Sequence, residues 1–206
     1  MKREMRILTL IVTHFVLAIP LRFIFRIENN SSNIKIREKR KYIIVANHQS
    51  KLDPFLILAA LPFRIFVKLL PFSFVTSEKY LERWYYKYFL KMWGCISNVE
   101  KNNKKPLALL EERLNANETI FLFPGGGLEK EGKLVTPKVG AIYLERKFKN
   151  SVLLPIKIEM SNKISILSLL KRNIKTKIWI KKEFRHKKFQ KDLQPLANEL
   201  YKRITS

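Results

Sequence analysis

Short apolar runs of strand length, each closed by a turn signal and followed by a segment of helical character, constrain this chain most. Lys41–Ala46 (KYIIVA) is β-branched and stops at Asn47, and Thr119–Phe123 (TIFLF) runs into Pro124 and three glycines. Val152–Ile158 (VLLPIKI) is a third such run and Thr176–Ile180 a fourth. Helices are predicted over Pro54–Leu61, Glu78–Met92 (closing at Gly94), Pro106–Leu114, Lys138–Arg146 and Leu193–Ile204. Ile65–Leu70 and Phe72–Thr76 are apolar enough for either strand or core. Strands alternating with helices imply an α/β fold, a mostly parallel central sheet flanked by helices. The 206 residues suit a single domain, and no repeat or Pro/Gly/Ser-rich linker divides them.

Two of the predicted strands end in residues that carry chemistry. After the first comes Asn47-His48-Gln49-Ser50-Lys51-Leu52-Asp53. On one continuous helix His48 and Asp53 would point about 140° apart and could not meet. With a turn between them, Asp53 as helix N-cap and Pro54 at the first helical position, the carboxylate can fold back onto the imidazole. Such a pair fixes the ring's tautomer and stabilises its protonated form, as a general base for a hydroxyl requires. The plainer alternative is a surface histidine beside a helix cap. After the second strand, Gly125-Gly126-Gly127 lets the backbone approach a ligand and turn N–H groups toward an anion. Its plainer alternative is a tight turn. Neither phosphate-loop nor dinucleotide spacing is present. The single cysteine, Cys95, cannot close an intramolecular disulfide or build a cysteine metal cluster, which fits a reducing compartment.

Taken in order along the chain, these motifs resemble the glycerolipid acyltransferase family, which includes the 1-acylglycerol-3-phosphate acyltransferases. The family's Asn-His-x4-Asp block reads Asn47-His48 to Asp53, and its Gly-x-Ile block reads Gly94-Cys95-Ile96. Its Phe-Pro-Glu-Gly-Thr block reads Phe123-Pro124-Gly125-Gly126-Gly127, and its apolar strand with proline reads Leu153-Leu154-Pro155-Ile156. The likeness spans Tyr42 to Ile158. It implies that His48, oriented by Asp53, deprotonates a lipid hydroxyl that attacks an acyl-CoA or acyl-carrier-protein thioester, with no acyl-enzyme, bound cofactor or metal. It also implies a substrate site of Asn47, Lys101, Phe123, Pro124, Gly125, Gly126 and Gly127. Lys101 enters as the candidate for the cation that usually follows the Gly-x-Ile block. Gly125, Gly127 and Leu128 stand where the family commonly has Glu, Thr and Arg, residues that help hold a phosphorylated acceptor. The acceptor, phosphorylated or neutral, is therefore left open, as is a lipid-binding relative without catalysis. Glu129 beyond the glycines also resembles acyltransferases of neutral glycerides.

Residues 1–27 read as a membrane-associated segment ahead of an acyltransferase domain over 28–206. Ile7–Leu21 is nearly all apolar between Lys2, Arg3, Arg6 and Arg22, Arg26. As a helix that run covers roughly 22 Å, short of the roughly 30 Å hydrocarbon core, so lying in the interface fits better than spanning. A buried core helix is the alternative, and no signal-peptidase site follows. His14 reads as a helix-face residue. Net charge is +24, from 41 Lys+Arg against 17 Asp+Glu, which draws polyanions. The basic run from Lys171 to Lys191, with Lys181, Lys182, Arg185, Lys187 and Lys188 around Trp179, Phe184 and Phe189, fits an anionic bilayer or a solvated face. No nucleic-acid fold signature accompanies it, so nucleic acid is set aside. His186 reads as a surface residue. The expected location is the membrane, with the catalytic domain on the cytoplasmic side.

Overall fold

The computed structural model describes residues 3–30, 34–37, 39–100, 105–129, 135–165, 168–169, 173–185 and 192–206. Lys101 lies outside them, as do His186 and the stretch 187–191 of the basic run. Seven strands form one sheet: β1 (Ile27–Asn29), β2 (Lys41–Ala46), β3 (Phe72–Thr76), β4 (Cys95–Ser97), β5 (Thr119–Leu122), β6 (Ser151–Met160) and β7 (Thr176–Ile180). Their order is β1-β7-β6-β2-β5-β3-β4. Five strands, β6 through β4, run parallel; β7 pairs antiparallel to β6, and β1 parallel to β7. The α/β fold read from the sequence is the fold observed.

Period-two alternation sorts the strand side chains into two cores. Tyr42, Ile44, Ala46, Phe121, Leu154 and Ile156 face one way, where α1 (Arg3–Ile24), α2 (Asp53–Ala60) and α3 (Phe63–Leu69) cover them. Ile43, Val45, Ile120 and Leu153 face the other, under α6 (Pro106–Asn115), α7 (Gly140–Lys147) and α8 (Gln194–Thr205). A central parallel sheet needs this double cover, since both of its faces are apolar.

Local differences from the sequence reading have physical causes. Residues 65–70 are mostly helix, not strand: α3 follows Pro62 and buries Phe66 and Leu69, three residues apart, on one face. The segment predicted as one helix over Glu78–Met92 is two, α4 (Glu78–Glu82) and α5 (Trp84–Met92), because Arg83 is extended at φ −71°, ψ 120°. Phe184 is a core residue, bridged to Leu153, and Trp179 is half-buried with Lys157 5.2 Å over its ring.

Helix α1 continues through Pro20 and is fastened to the sheet. Buried Arg6 donates to Glu118 at 2.8 Å and to the Phe72 carbonyl at 2.8 Å. Burial works to raise the Glu118 carboxyl, but hydrogen bonds from Arg6 and Ser73 and the charges of Arg6 and Arg113 outweigh it and hold it below its usual value. Gly94, at φ +79°, makes room: a Cβ there would fall 2.1 Å from Arg6 Nη2. His14 is buried against Phe66, with ring centroids 4.1 Å apart.

Candidate active site

The ends of β2 and β5 lie side by side, with Val45 opposite Leu122, so the loops that follow them share the carboxyl edge of the sheet. Ligands of open α/β sheets gather at that edge. His48 leaves β2 and stacks on Phe123 leaving β5, centroids 4.0 Å apart and planes 16° from parallel. The two blocks, remote in sequence, thus meet at one ring.

Asp53 fixes that ring. It is fully buried, and its Oδ2 accepts His48 Nδ1 at 2.9 Å, the Gln49 N–H at 2.7 Å and the Ser50 N–H at 2.9 Å. Its Oδ1 accepts the Ser50 hydroxyl at 2.6 Å. The Asp53 side chain does not cap α2, as the sequence reading supposed. It is the first helical residue after Leu52, and its carboxylate instead gathers the N–H groups of the preceding turn. A carboxylate acceptor at Nδ1 places the proton of a neutral imidazole there and leaves Nε2 as a lone pair. His48 keeps 18 % side-chain exposure, enough to be reached from outside.

Asn47 is buried, and its amide is committed to the backbone. Nδ2 donates to the Ile158 carbonyl at 2.8 Å and Oδ1 accepts the Ile158 N–H at 2.7 Å. It extends the β2–β6 pairing by side chain and holds the strand end from which His48 departs. Among the seven residues expected at a substrate, Phe123, Pro124, Gly125, Gly126 and Gly127 line the loop beside His48, while Asn47 points back into the sheet.

In the glycine turn, Gly126 N–H donates to the Phe123 carbonyl at 2.9 Å and Gly126 has φ +73°. A Cβ on Gly126 would fall 2.7 Å from Lys138 Cε and 2.9 Å from Nζ, so the Lys138 side chain lies across the turn. The backbone ties it there, Lys138 N–H donating to the Pro124 carbonyl at 2.8 Å. Among the described residues, nothing lies within 4 Å of a Cβ on Gly127.

Three residues near this site have no role in it on the sequence reading, although Glu129 is noted there beside the glycines. Glu129 N–H donates to the His48 carbonyl at 2.7 Å, and the His48 N–H donates to Glu129 Oε1 at 3.2 Å. The two residues thus clamp each other's backbone. Tyr201, from α8, donates its hydroxyl to the same Oε1 at 2.7 Å. Burial and the Glu129 carboxylate both push the Tyr201 phenol well above its usual value, so it stays a neutral donor. Lys138 is the third, a cation at the turn whose family-typical arginine is replaced by Leu128. Glu129, beside the glycine block, carried the one local signal; Tyr201 and Lys138 arrive from other elements. Cys95 stands apart from this group: burial pushes its thiol up to about 12, so it is neutral near neutral pH. Among the described residues no three His, Cys, Asp or Glu side chains converge as a metal site would need.

Comparison with known proteins bears on the same blocks. The family model described as Acyltransferase matches residues 26–159, a span holding both loops. The crystal structure of the 1-acyl-sn-glycerophosphate (LPA) acyltransferase PlsC from Thermotoga maritima is similar in fold, with a TM-score of 0.65. That likeness has 19 % sequence identity and covers 92 % of this chain and 77 % of PlsC. No curated protein sequence matches.

Proposed function

The chain belongs to the acyltransferase family, and on that premise we propose that it moves a fatty acyl group from acyl-CoA or acyl-carrier protein to the hydroxyl of a lyso-glycerolipid or related lipid. His48 Nε2 takes the proton of the acceptor hydroxyl as its oxygen attacks the thioester carbonyl carbon. The tetrahedral intermediate collapses by breaking the C–S bond, and the thiolate takes the proton back from His48. The products are the lipid ester and the free thiol. Asp53 orients His48 through Nδ1 and stabilises the imidazolium while it exists. The backbone N–H groups of Gly125 and Gly127 face the developing oxyanion or the acceptor head group, while that of Gly126 closes the turn onto the Phe123 carbonyl. Phe123 and Pro124 wall that site, Lys138 supplies positive charge at the turn, and Lys101 remains a further candidate cation. Asn47 positions rather than touches substrate.

The observation that carries this reading is the His48–Asp53 contact at 2.9 Å, made by a fully buried carboxylate beside the glycine turn. Residues 1–27 are proposed to hold the domain over 28–206 at a membrane, on its cytoplasmic side, where lipid acceptors reside. The test is release of free thiol from acyl-CoA by the purified chain, measured against phosphorylated and neutral lyso-lipids. Acceptor-dependent release with at least one of them is expected. Release with none, from acyl-CoA and then from acyl-carrier protein in the same assay, overturns the reading in favour of a lipid-binding relative without turnover.

A further inference from the structure

The edge of the sheet opposite His48 carries a cavity of its own. It has a volume of about 330 Å³ and lies where β2 and β5 begin, just ahead of β3. Strand β2 runs six residues from Lys41 to Ala46, so at about 3.3 Å per residue the two edges stand roughly 20 Å apart. Arg3, Lys39, Arg40, Lys41 and Lys68 line the cavity, against one carboxylate, Glu118. Half of its ten lining residues are Lys or Arg, against 41 of 206 in the whole chain. The cations therefore gather here beyond what a basic composition supplies. They come from three parts of the chain: the start of α1, the last turn of α3 and the segment that enters β2.

Part of this charge is engaged within the protein. Arg40 pairs with Glu183, and Lys41 donates to the Leu114 carbonyl with its ammonium 5.5 Å over the ring of Phe148. Glu118 does little to neutralise the rest. Arg6 and Arg113 already pair with it, at 2.8 Å and 3.2 Å, and the Ser73 hydroxyl donates to it. Arg3 stands three residues before Arg6, so the two share one face of α1. Arg6 has Glu118 as its counter-charge, whereas Arg3 and Lys39 have no ion pair among the described residues. Burial also lowers the Lys41 ammonium below its usual value, a cost that an anion in the cavity would offset.

The chemistry of the lining selects the ligand. Cations converging in a concavity favour an anion of more than one charge. Arginine and lysine donors match phosphate oxygens, and Asn117, left-handed at φ 57°, adds an uncharged amide to the lining. Leu70 and the ring of Tyr42 are its main apolar parts, too little to receive an acyl tail. The volume stands at the low end of the range of about 300–1,000 Å³ for small-molecule sites, which suits a compact group. We propose that this cavity binds a soluble, multiply charged phosphate compound of the pyrophosphate class, held by Arg3, Lys39 and Lys68 at a site separate from His48. Bound there, the anion gives Arg3 the counter-charge that Glu118 gives Arg6. It also ties the start of α1 to the end of α3 and to the entrance of β2. The inference goes beyond the acyl-transfer reading and does not depend on it.

The test is calorimetric titration of the full chain with sodium pyrophosphate at constant ionic strength. One saturable site per chain is expected. Its affinity falls about tenfold or more in the triple variant Arg3→Gln, Lys39→Gln, Lys68→Gln, whose three side chains are all exposed. A control that removes the same charge elsewhere, Lys175→Gln, Lys177→Gln, Lys182→Gln, keeps the parental affinity. If the first triple variant does not fold, thermal melting of the parent and of Lys138→Gln decides. In both, pyrophosphate at a hundredfold excess over its Kd raises the melting temperature by roughly 5 °C or more above sodium chloride of equal ionic strength. Equal weakening in the two triple variants, or equal melting shifts with the two salts, leaves only diffuse screening of the net charge and overturns the proposal. Binding lost in Lys138→Gln but kept in the Arg3 variant puts the anion at the glycine turn, which also overturns it. Tighter binding of monomeric dihexanoyl phosphatidate than of pyrophosphate identifies a lipid head group and rejects the soluble ligand. A chain that binds pyrophosphate in this cavity yet releases no thiol from acyl donors upholds the site and overturns the catalytic reading alone.

Discussion

The loops after β2 and β5 lie side by side and are built by opposite means. The 47–53 loop is organised by side chains: one buried carboxylate draws in an imidazole, two backbone N–H groups and a hydroxyl within five residues. The 123–129 loop is organised by backbone, with a left-handed glycine at its tip and its side-chain partners brought from Tyr201 and Lys138. The first loop fixes one imidazole, whereas in the second no described atom lies within 4 Å of a Cβ at Gly127. On the proposed function, that division would suit one fixed proton transfer beside a variable acceptor head group.

Substitutions in each loop sharpen the contrast or break it. The largest effect is expected from His48→Ala, a loss of about 10²- to 10⁴-fold in thiol release, with about 1–3 kcal/mol of stability lost because the buried Asp53 carboxylate gives up one of its hydrogen bonds. Asp53→Asn comes next. Its amide N–H₂ must face donors, so about 10²-fold in rate and about 1–3 kcal/mol of stability are lost together, read by kinetics and thermal melting.

A smaller effect is expected at the junction of the loops. Glu129→Ala frees the His48 backbone and lowers kcat about tenfold, with KM little changed. Glu129→Gln restores most of it, because the amide oxygen can accept from both the His48 N–H and Tyr201. Equal loss in both variants would refute a positioning role for that oxygen. Within the second loop, Gly126→Ala costs about 1–2 kcal/mol in a melt, because a left-handed residue gains a Cβ. Gly127→Thr, with no atom of the described residues within 4 Å of its Cβ, changes stability by less than about 0.5 kcal/mol. A large destabilisation there would contradict the open turn.

The same contrast governs how much could be read from sequence. Strands β2 and β7 were legible to the residue, because apolar β-branched runs bounded by turn residues need no partner to be recognised. His48 and Asp53 were legible because their contact is local. Asn47 was not: its amide answers Ile158, which β6 brings alongside only once the sheet has formed. Glu129, Tyr201 and Lys138 depend likewise on α8 and on the chain's return after the glycine turn. The break at Arg83 has no proline or glycine to announce it. The N-terminal run read as membrane-seeking or core, and the helix has both faces: Leu10, His14 and Ala18 buried, Val12, Val16 and Ile19 exposed.

Direct transfer through His48 is tested most simply by following labelled acyl groups. The purified chain is given acyl-labelled CoA and an acceptor lyso-lipid, and the label is traced in the lipid and on the protein. The parent is expected to place label in the lipid ester with none held covalently on the chain, and His48→Ala to leave it on CoA. Label entering the ester at parental rate in His48→Ala, or retained on the protein as an acyl-enzyme, would contradict the account.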